Sequence, residues 1–163
     1  MSAARELHCY EYVNASYPRV CEAVARDAAV MFQRATASAA RRAGELGATL
    51  RVDVGPIQVG VDVKVEVRGS REEVSALGDR STRIDLAWVA ARAAGLFPSL
   101  EGTLSLSPLG AQETQLDLHA RYRPPFGVVG QALDAVAGHR LAEAALRRFI
   151  DDVSGRLRAE LAT

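Results

Sequence analysis

In five runs between Thr49 and Tyr122 the apolar residues of this chain recur at every second position, and over 20–46 and 133–161 they recur every three to four. A period of two belongs to a strand with one buried face, and a period near 3.6 belongs to a helix with one apolar stripe. The chain is therefore committed to a sheet flanked by helices, each with a face to bury against the other. Leu50, Val52 and Val54 alternate with Arg51 and Asp53, and Ile57, Val59, Val61, Val63, Val65 and Val67 alternate with Gln58, Asp62, Lys64, Glu66 and Arg68. Ile84, Leu86, Trp88 and Ala90 form a third run, Leu100, Gly102, Leu104 and Leu106 a fourth, and Leu116, Leu118, Ala120 and Tyr122 a fifth. The parity change across Gly55-Pro56 calls for a turn, and a tight hairpin suits it better than one overlong strand. Gly69 to Ser81 reads as a polar loop and Pro108-Leu109-Gly110 as a turn. Successive alternating runs joined by turns predict an antiparallel meander with one wet face and one buried face.

The flanks supply the helices. Residues 6–14 read as a first strand through Tyr10, Tyr12 and Val13, after which Asn14 to Pro18 bring turn and capping chemistry, with Ser16 at the N-cap. Val20, Val24, Ala28, Met31, Phe32, Ala35, Ala39 and Leu46 follow at helical spacing. Asp27 divides them into two helices, 18–26 and 28–46, which Gly44 and Gly47 close. At the other end Pro124 and Pro125 cannot donate to a ladder, so they stop the last strand. A long helix over about 129–161 then carries Leu133, Val136, Ala137, Leu141, Ala144, Phe149, Ile150, Val153, Leu157 and Leu161 on one stripe. Its other face holds Glu143/Arg147, Arg148/Asp152 and Arg156/Glu160 at i, i+4, the pattern of a solvated surface.

Composition narrows the partners. Twenty basic and twenty acidic residues in 163 give no net charge, so the counterion-releasing excess typical of nucleic-acid binders is missing. The length suits one domain over residues 1–163 with a self-sufficient core. The opening MSAARELHCYEY has no apolar signal region, and no run of eighteen apolar residues occurs, so a cytoplasmic protein without membrane insertion is expected. Cys9 and Cys21 have no C-x-x-C spacing and read as reduced, partly buried thiols. Nineteen arginines against the single Lys64 match the codon bias of high-GC bacteria.

Strand, paired helices, meander and long last helix follow the order of the helix-grip fold. The segment from Leu96 to Phe149, with LFPSLEGTLSLSPLG, ETQLDLHARYRPPFGVVG, Asp134 and His139-Arg140, resembles the START-like, or SRPBCC, superfamily in its uncharacterised bacterial, polyketide cyclase/dehydratase-like branch. The resemblance implies an α+β fold: a curved antiparallel sheet wrapped around a long C-terminal helix, with two helices after the first strand and a cavity between sheet and last helix. One departure stands out, since Gly55-Pro56 occupies the place of the glycine-rich loop that marks the plant members.

Four residues are candidates for ligand binding in such a cavity. Trp88 and Tyr122 have the inward parity and carry a polar tip on an apolar body, although the same placement suits plain core. Arg140 falls near the apolar stripe of the last helix and needs a partner, for which Glu11, a sheet carbonyl or a ligand carboxylate are the options. Glu11 shares the parity of Leu7, Cys9 and Val13. His8, His119 and His139 match no metal-binding spacing, and neither a nucleophile motif nor a phosphate loop occurs, so no metal and no cofactor is expected. Three readings stay open: a binder of a small hydrophobic molecule such as a lipid or polyketide, a cyclase or dehydratase using Arg140 with Glu11 or His139, and a structural or partner-binding domain with a filled core. Assembly into a homodimer is left open.

Overall fold

The computed structural model describes residues 4–49, 63–90, 99–123 and 135–162. Strand β1 (Arg5–Val13) leads into helix α1 (Tyr17–Thr49), then come β2 (Val63–Val74), β3 (Arg80–Ala90), β4 (Ser99–Gly110) and β5 (Glu113–Arg123), and helix α2 (Ala135–Leu161) ends the chain. The five strands form one antiparallel sheet in the order β1-β5-β4-β3-β2. Strands β2 to β5 pair in sequence order as a meander, and β1 closes onto β5 at the far side. The expected hairpin at Gly55-Pro56 and the runs at 50–54 and 57–62 lie outside the described residues, as does the Pro124-Pro125 stop.

Alternation fixes which face is buried. Leu7, Cys9 and Val13, Ile84, Leu86 and Trp88, Leu104 and Leu106, and Leu116, Leu118, Ala120 and Tyr122 all point inward and are buried. The helices cover this face. From α1 come Val20, Val24, Met31, Phe32 and Ala35, and from α2 come Leu146, Phe149, Ile150, Val153 and Leu157. Phe149 is the common contact: its ring meets Trp88 edge-on at 5.3 Å and lies 6.0 Å from Phe32. The indole Nε1 of Trp88 donates to Thr36 Oγ1 at 3.2 Å, which satisfies a buried donor and ties β3 to α1.

The helix break predicted at Asp27 occurs as a kink. Asp27 has φ −129° and ψ 20°, outside helical values, so the two expected helices meet there at a kink within the span Tyr17–Thr49. The β1–α1 turn is held by Thr114, whose buried hydroxyl donates to the Ala15 carbonyl at 2.8 Å. One expectation needs correction. Gly69 to Val74 is strand rather than loop, and the turn is confined to Ser75–Asp79, where Gly78 takes φ 86°. This end of the β2–β3 hairpin is polar because it projects past the helices, so apolar alternation could not mark it. Ion pairs replace burial there: Arg71 with Asp85 at 2.7 Å and Arg83 with Glu73 at 3.1 Å. Likewise β4 runs through Pro108 to Gly110 by way of a register shift, so the turn falls later than the sequence suggested.

Among the described residues the first and last strands of the sheet are each engaged by a helix side chain. Gln33 of α1 donates to the Val63 carbonyl at 3.0 Å and accepts from the Val65 N–H at 3.3 Å on the β2 edge. On the β1 edge the Arg158 Nε of α2 donates to the Tyr12 carbonyl at 2.9 Å. Unpaired edge groups invite association with other strands, and these contacts occupy some of them.

Gly102 controls how Trp88 lies on the sheet. A Cβ at Gly102 would stand 2.8 Å from the His119 carbonyl oxygen, 3.2 Å from the Ala120 Cβ and 3.3 Å from Trp88 Cζ3. The first neighbour is backbone and cannot yield cheaply. Gly102→Val is therefore expected to cost about 1–3 kcal/mol in urea unfolding and to alter the near-ultraviolet circular dichroism of the indole. Unchanged stability would show that the strand has room the structure does not contain.

Candidate functional site

Register brings two of the sequence candidates into one row. Trp88 on β3 pairs with Leu100 on β4, Leu100 pairs with Tyr122 on β5, and Tyr122 pairs with Arg5 on β1. Trp88 and Tyr122 thus share one transverse line on the inner face, two strand spacings or roughly 10 Å apart. Leu100 lies between them, partly buried against the core. Tyr122 is 5% exposed, and burial pushes its hydroxyl above the ordinary phenol range, with Arg5 opposing.

Helix α2 supplies the opposite wall. His139 lies one turn before Ala142 and two before Leu146 on the stripe that continues to Phe149 and Val153. Its Nδ1 atom is buried and has no hydrogen-bond partner among the described residues. The Arg158–Glu11 contact fixes how α2 runs along β1. From Arg158 back to His139 is about 28 Å at 1.5 Å per residue, and from Glu11 back to Arg5 is about 20 Å at 3.3 Å per residue. His139 therefore belongs to the end of the interior floored by the Trp88–Tyr122 row. Further along α2, Val153 and Leu157 are buried in the same cluster as Leu104, Leu106 and Leu116, while Phe149 packs on Trp88 itself.

Glu11 and Arg140 do not meet. Glu11 has the inward parity expected of it, but its carboxylate is bound by the Arg158 guanidinium at 2.7 Å. Arg140 is exposed and stands eighteen residues earlier on α2, roughly 27 Å away along the helix. An acid–base pair of Arg140 with Glu11 is therefore not assembled. The cost of burying a guanidinium, which motivated that pairing, is avoided by leaving Arg140 in solvent.

Two further clusters escaped the linear spacings. Between the helices a cleft of about 410 Å³ is lined by Ser38, Arg41, Arg42, Arg147, Arg148 and Asp151. Arg148 Nε donates to Ser38 Oγ at 2.9 Å across it. The cleft lies between α1 and α2, not between sheet and last helix where the sequence resemblance implies a cavity. On the outer face of the sheet, His8 and His119 converge on Asp117. Motif spacing within one segment cannot show a group assembled across paired strands. The signal available was parity, since His8, Asp117 and His119 all alternate with buried neighbours.

The same architecture occurs in solved structures. A Thermus thermophilus protein superposes with a TM-score of 0.50 at 16% identity, covering 96% of this chain and 99% of its own. Ara h 8.0201 gives 0.50 at 6% identity over 96% and 99%. The fold is the helix-grip fold. The Zhui aromatase/cyclase from Streptomyces sp. R1128 aligns at a TM-score of 0.49 with 17% identity, over 98% of this chain and 96% of that one. No protein-family model and no curated protein matches the sequence. Among the described residues no helix is long and apolar enough to cross a membrane.

Within this helix-grip frame two acids and a thiol are tuned by position. Burial acts to raise the Glu11 carboxyl, but the Arg158 guanidinium and a backbone hydrogen bond from Tyr12 outweigh it and hold Glu11 below the ordinary range. Asp151 moves upward, first through burial and then through the hydrogen bond and repulsion it shares with Glu11. A depressed carboxyl contributes stability above its unfolded pKa and loses it as pH falls through the folded one. The Arg158→Leu variant should thus show a smaller loss of stability between about pH 5 and pH 3 than the parent, measured by urea unfolding across that range. An unchanged slope would remove Glu11 from the account.

Cys9 lies under α2, and burial pushes its thiol up to about 11, with Arg147 opposing and Asp151 reinforcing the shift. Relative to the ordinary thiol value of 9.0, that leaves about a hundredfold less thiolate near neutral pH. In native protein an aromatic disulfide reagent should label Cys21 well before Cys9, and the two should react at equal rates only after denaturation. Rapid native labelling of Cys9 would contradict its placement.

Proposed function

We propose that the chain binds a small, largely apolar molecule bearing one hydrogen-bonding group, held between the Trp88–Tyr122 row and the first turns of α2. The observation that supports this reading is His139 Nδ1, a buried polar atom without a partner among the described residues, at the end of the interior where Tyr122 is also buried. Buried polar groups in native proteins are almost always satisfied, and leaving one unpaired costs about 1–3 kcal/mol. A ligand hydroxyl or carbonyl supplies the missing partner: Tyr122 donates to a carbonyl, and His139 Nδ1 accepts or donates according to its tautomer. Trp88 offers a flat face beside Leu100, and the ring is already fixed by Thr36. Such a site suits a lipid, a polyketide or a similar molecule with a flat or acyl body.

Polyketide cyclase or dehydratase chemistry by way of Arg140 and Glu11 is not part of this reading, because those groups stand at opposite ends of α2. Nor does the filled end near Leu157 offer space. Binding rather than turnover is what the arrangement favours.

Protein purified gently from its own host should carry a small molecule in native mass spectrometry. Tyr122→Phe should lower affinity for it by about tenfold, the effect of one hydrogen bond of ~1.4 kcal/mol, with little change in stability. Absence of any retained molecule, together with no saturable binding of the fluorescent probe 8-anilinonaphthalene-1-sulfonate, would favour a filled structural domain instead.

A further inference from the structure

The outer face of the sheet carries a constellation independent of the interior. His8 on β1 lies directly opposite His119 on β5, and Asp117 precedes His119 by two residues on the same face. His8 Nε2 is 2.9 Å from Asp117 Oδ1 and 3.1 Å from Oδ2, and His119 Nε2 is 3.1 Å from the same Oδ1. The imidazoles stack with centroids 4.0 Å apart and an interplanar angle of 12°. Both Nε2 atoms consequently aim at one carboxylate, and the three donor atoms lie within 4.8 Å of one another.

We propose that His8, Asp117 and His119 form a binding site for one divalent transition-metal ion of the zinc type. Donors held at about 2.0–2.1 Å from a common ion stand roughly 3 Å apart, which is the spacing both histidines already keep from Asp117. Only the two imidazoles must swing slightly to admit the ion. Two neutral imidazoles and one carboxylate select Zn²⁺, Ni²⁺ or Cu²⁺ over Mg²⁺ and Ca²⁺, which require shells of oxygen. The donors are mounted on hydrogen-bonded neighbouring strands, so their backbone separation is set by the ladder rather than by a mobile loop. Gln115 Nε2 donates to Asp117 Oδ2 at 3.2 Å, which orients the carboxylate and leaves Oδ1 toward the histidines. His8 and His119 side chains are 47% and 66% exposed, so the remaining coordination positions face solvent and are open to water or an added ligand.

The test is a calorimetric titration of the full chain with zinc chloride after chelator treatment. One ion per chain is expected, with affinity reduced at least tenfold in His8→Ala, His119→Ala and Asp117→Asn. Gln115→Leu should weaken binding about tenfold by loosening the carboxylate. Cys21→Ser, whose sulfur lies on the opposite side of the sheet, should leave it unchanged. His8→Gln and His119→Gln keep a hydrogen bond to Asp117 and provide folded counterparts should an alanine variant misfold. Copper(II) paramagnetic resonance adds a direct reading, in which two nitrogen donors are expected and one is lost in each histidine variant. Failure to observe saturable binding, or binding that survives both histidine replacements, would overturn the proposal without touching the interior site.

Discussion

Phe149 stands where three elements meet, and the rest of the structure depends on that junction. Its ring packs edge-on against Trp88 of the sheet and beside Phe32 of α1, while Trp88 in turn donates to Thr36 of α1. A five-stranded sheet with one apolar face must be covered, and no single helix is wide enough to do it. The aromatic junction locks the two covering helices to each other and to the central strands. Around it the aliphatic residues of sheet and helices form one buried cluster, which includes Tyr122. His139 Nδ1, buried without a partner among the described residues, is what distinguishes this interior from an ordinary core.

The helices also discipline the sheet at its margins. Gln33 on one edge and Arg158 on the other turn exposed backbone groups into hydrogen bonds. Arg158 serves twice, since the same guanidinium neutralises Glu11 and thereby permits an acid to occupy an inward position on β1. Removing it would disturb an edge and an ion pair together.

Much of this architecture was legible in the sequence because it rests on periodicity. Inward parity from Ile84 to Trp88 and from Leu116 to Tyr122 follows from alternation alone, and the helix-period stripe of α2 needed only Phe149, Val153 and Leu157 to declare itself. The break at Asp27 was visible as well, and two helices meet there at a kink. The Gly69–Val74 strand was not, because it is stabilised by cross-strand ion pairs and buries little. The candidate site divided in the same way. Trp88 and Tyr122 could be placed on the inner face by parity, whereas the partners of Glu11 and Arg140 depended on the angle at which α2 crosses the sheet. The His8–Asp117–His119 group needed the knowledge that β1 pairs with β5, a long-range fact that no local pattern contains.

A ligand bound as proposed at the Trp88–Tyr122 end of the interior would lie beside the chain's single tryptophan. Intrinsic fluorescence titrated with a long-chain fatty acid or an aromatic polyketide is the most direct measurement. A saturable change in Trp88 emission, displaced to higher concentration by Tyr122→Phe and by His139→Leu, is the predicted result. Emission that stays constant while binding is seen by another method would place the ligand elsewhere and contradict the account.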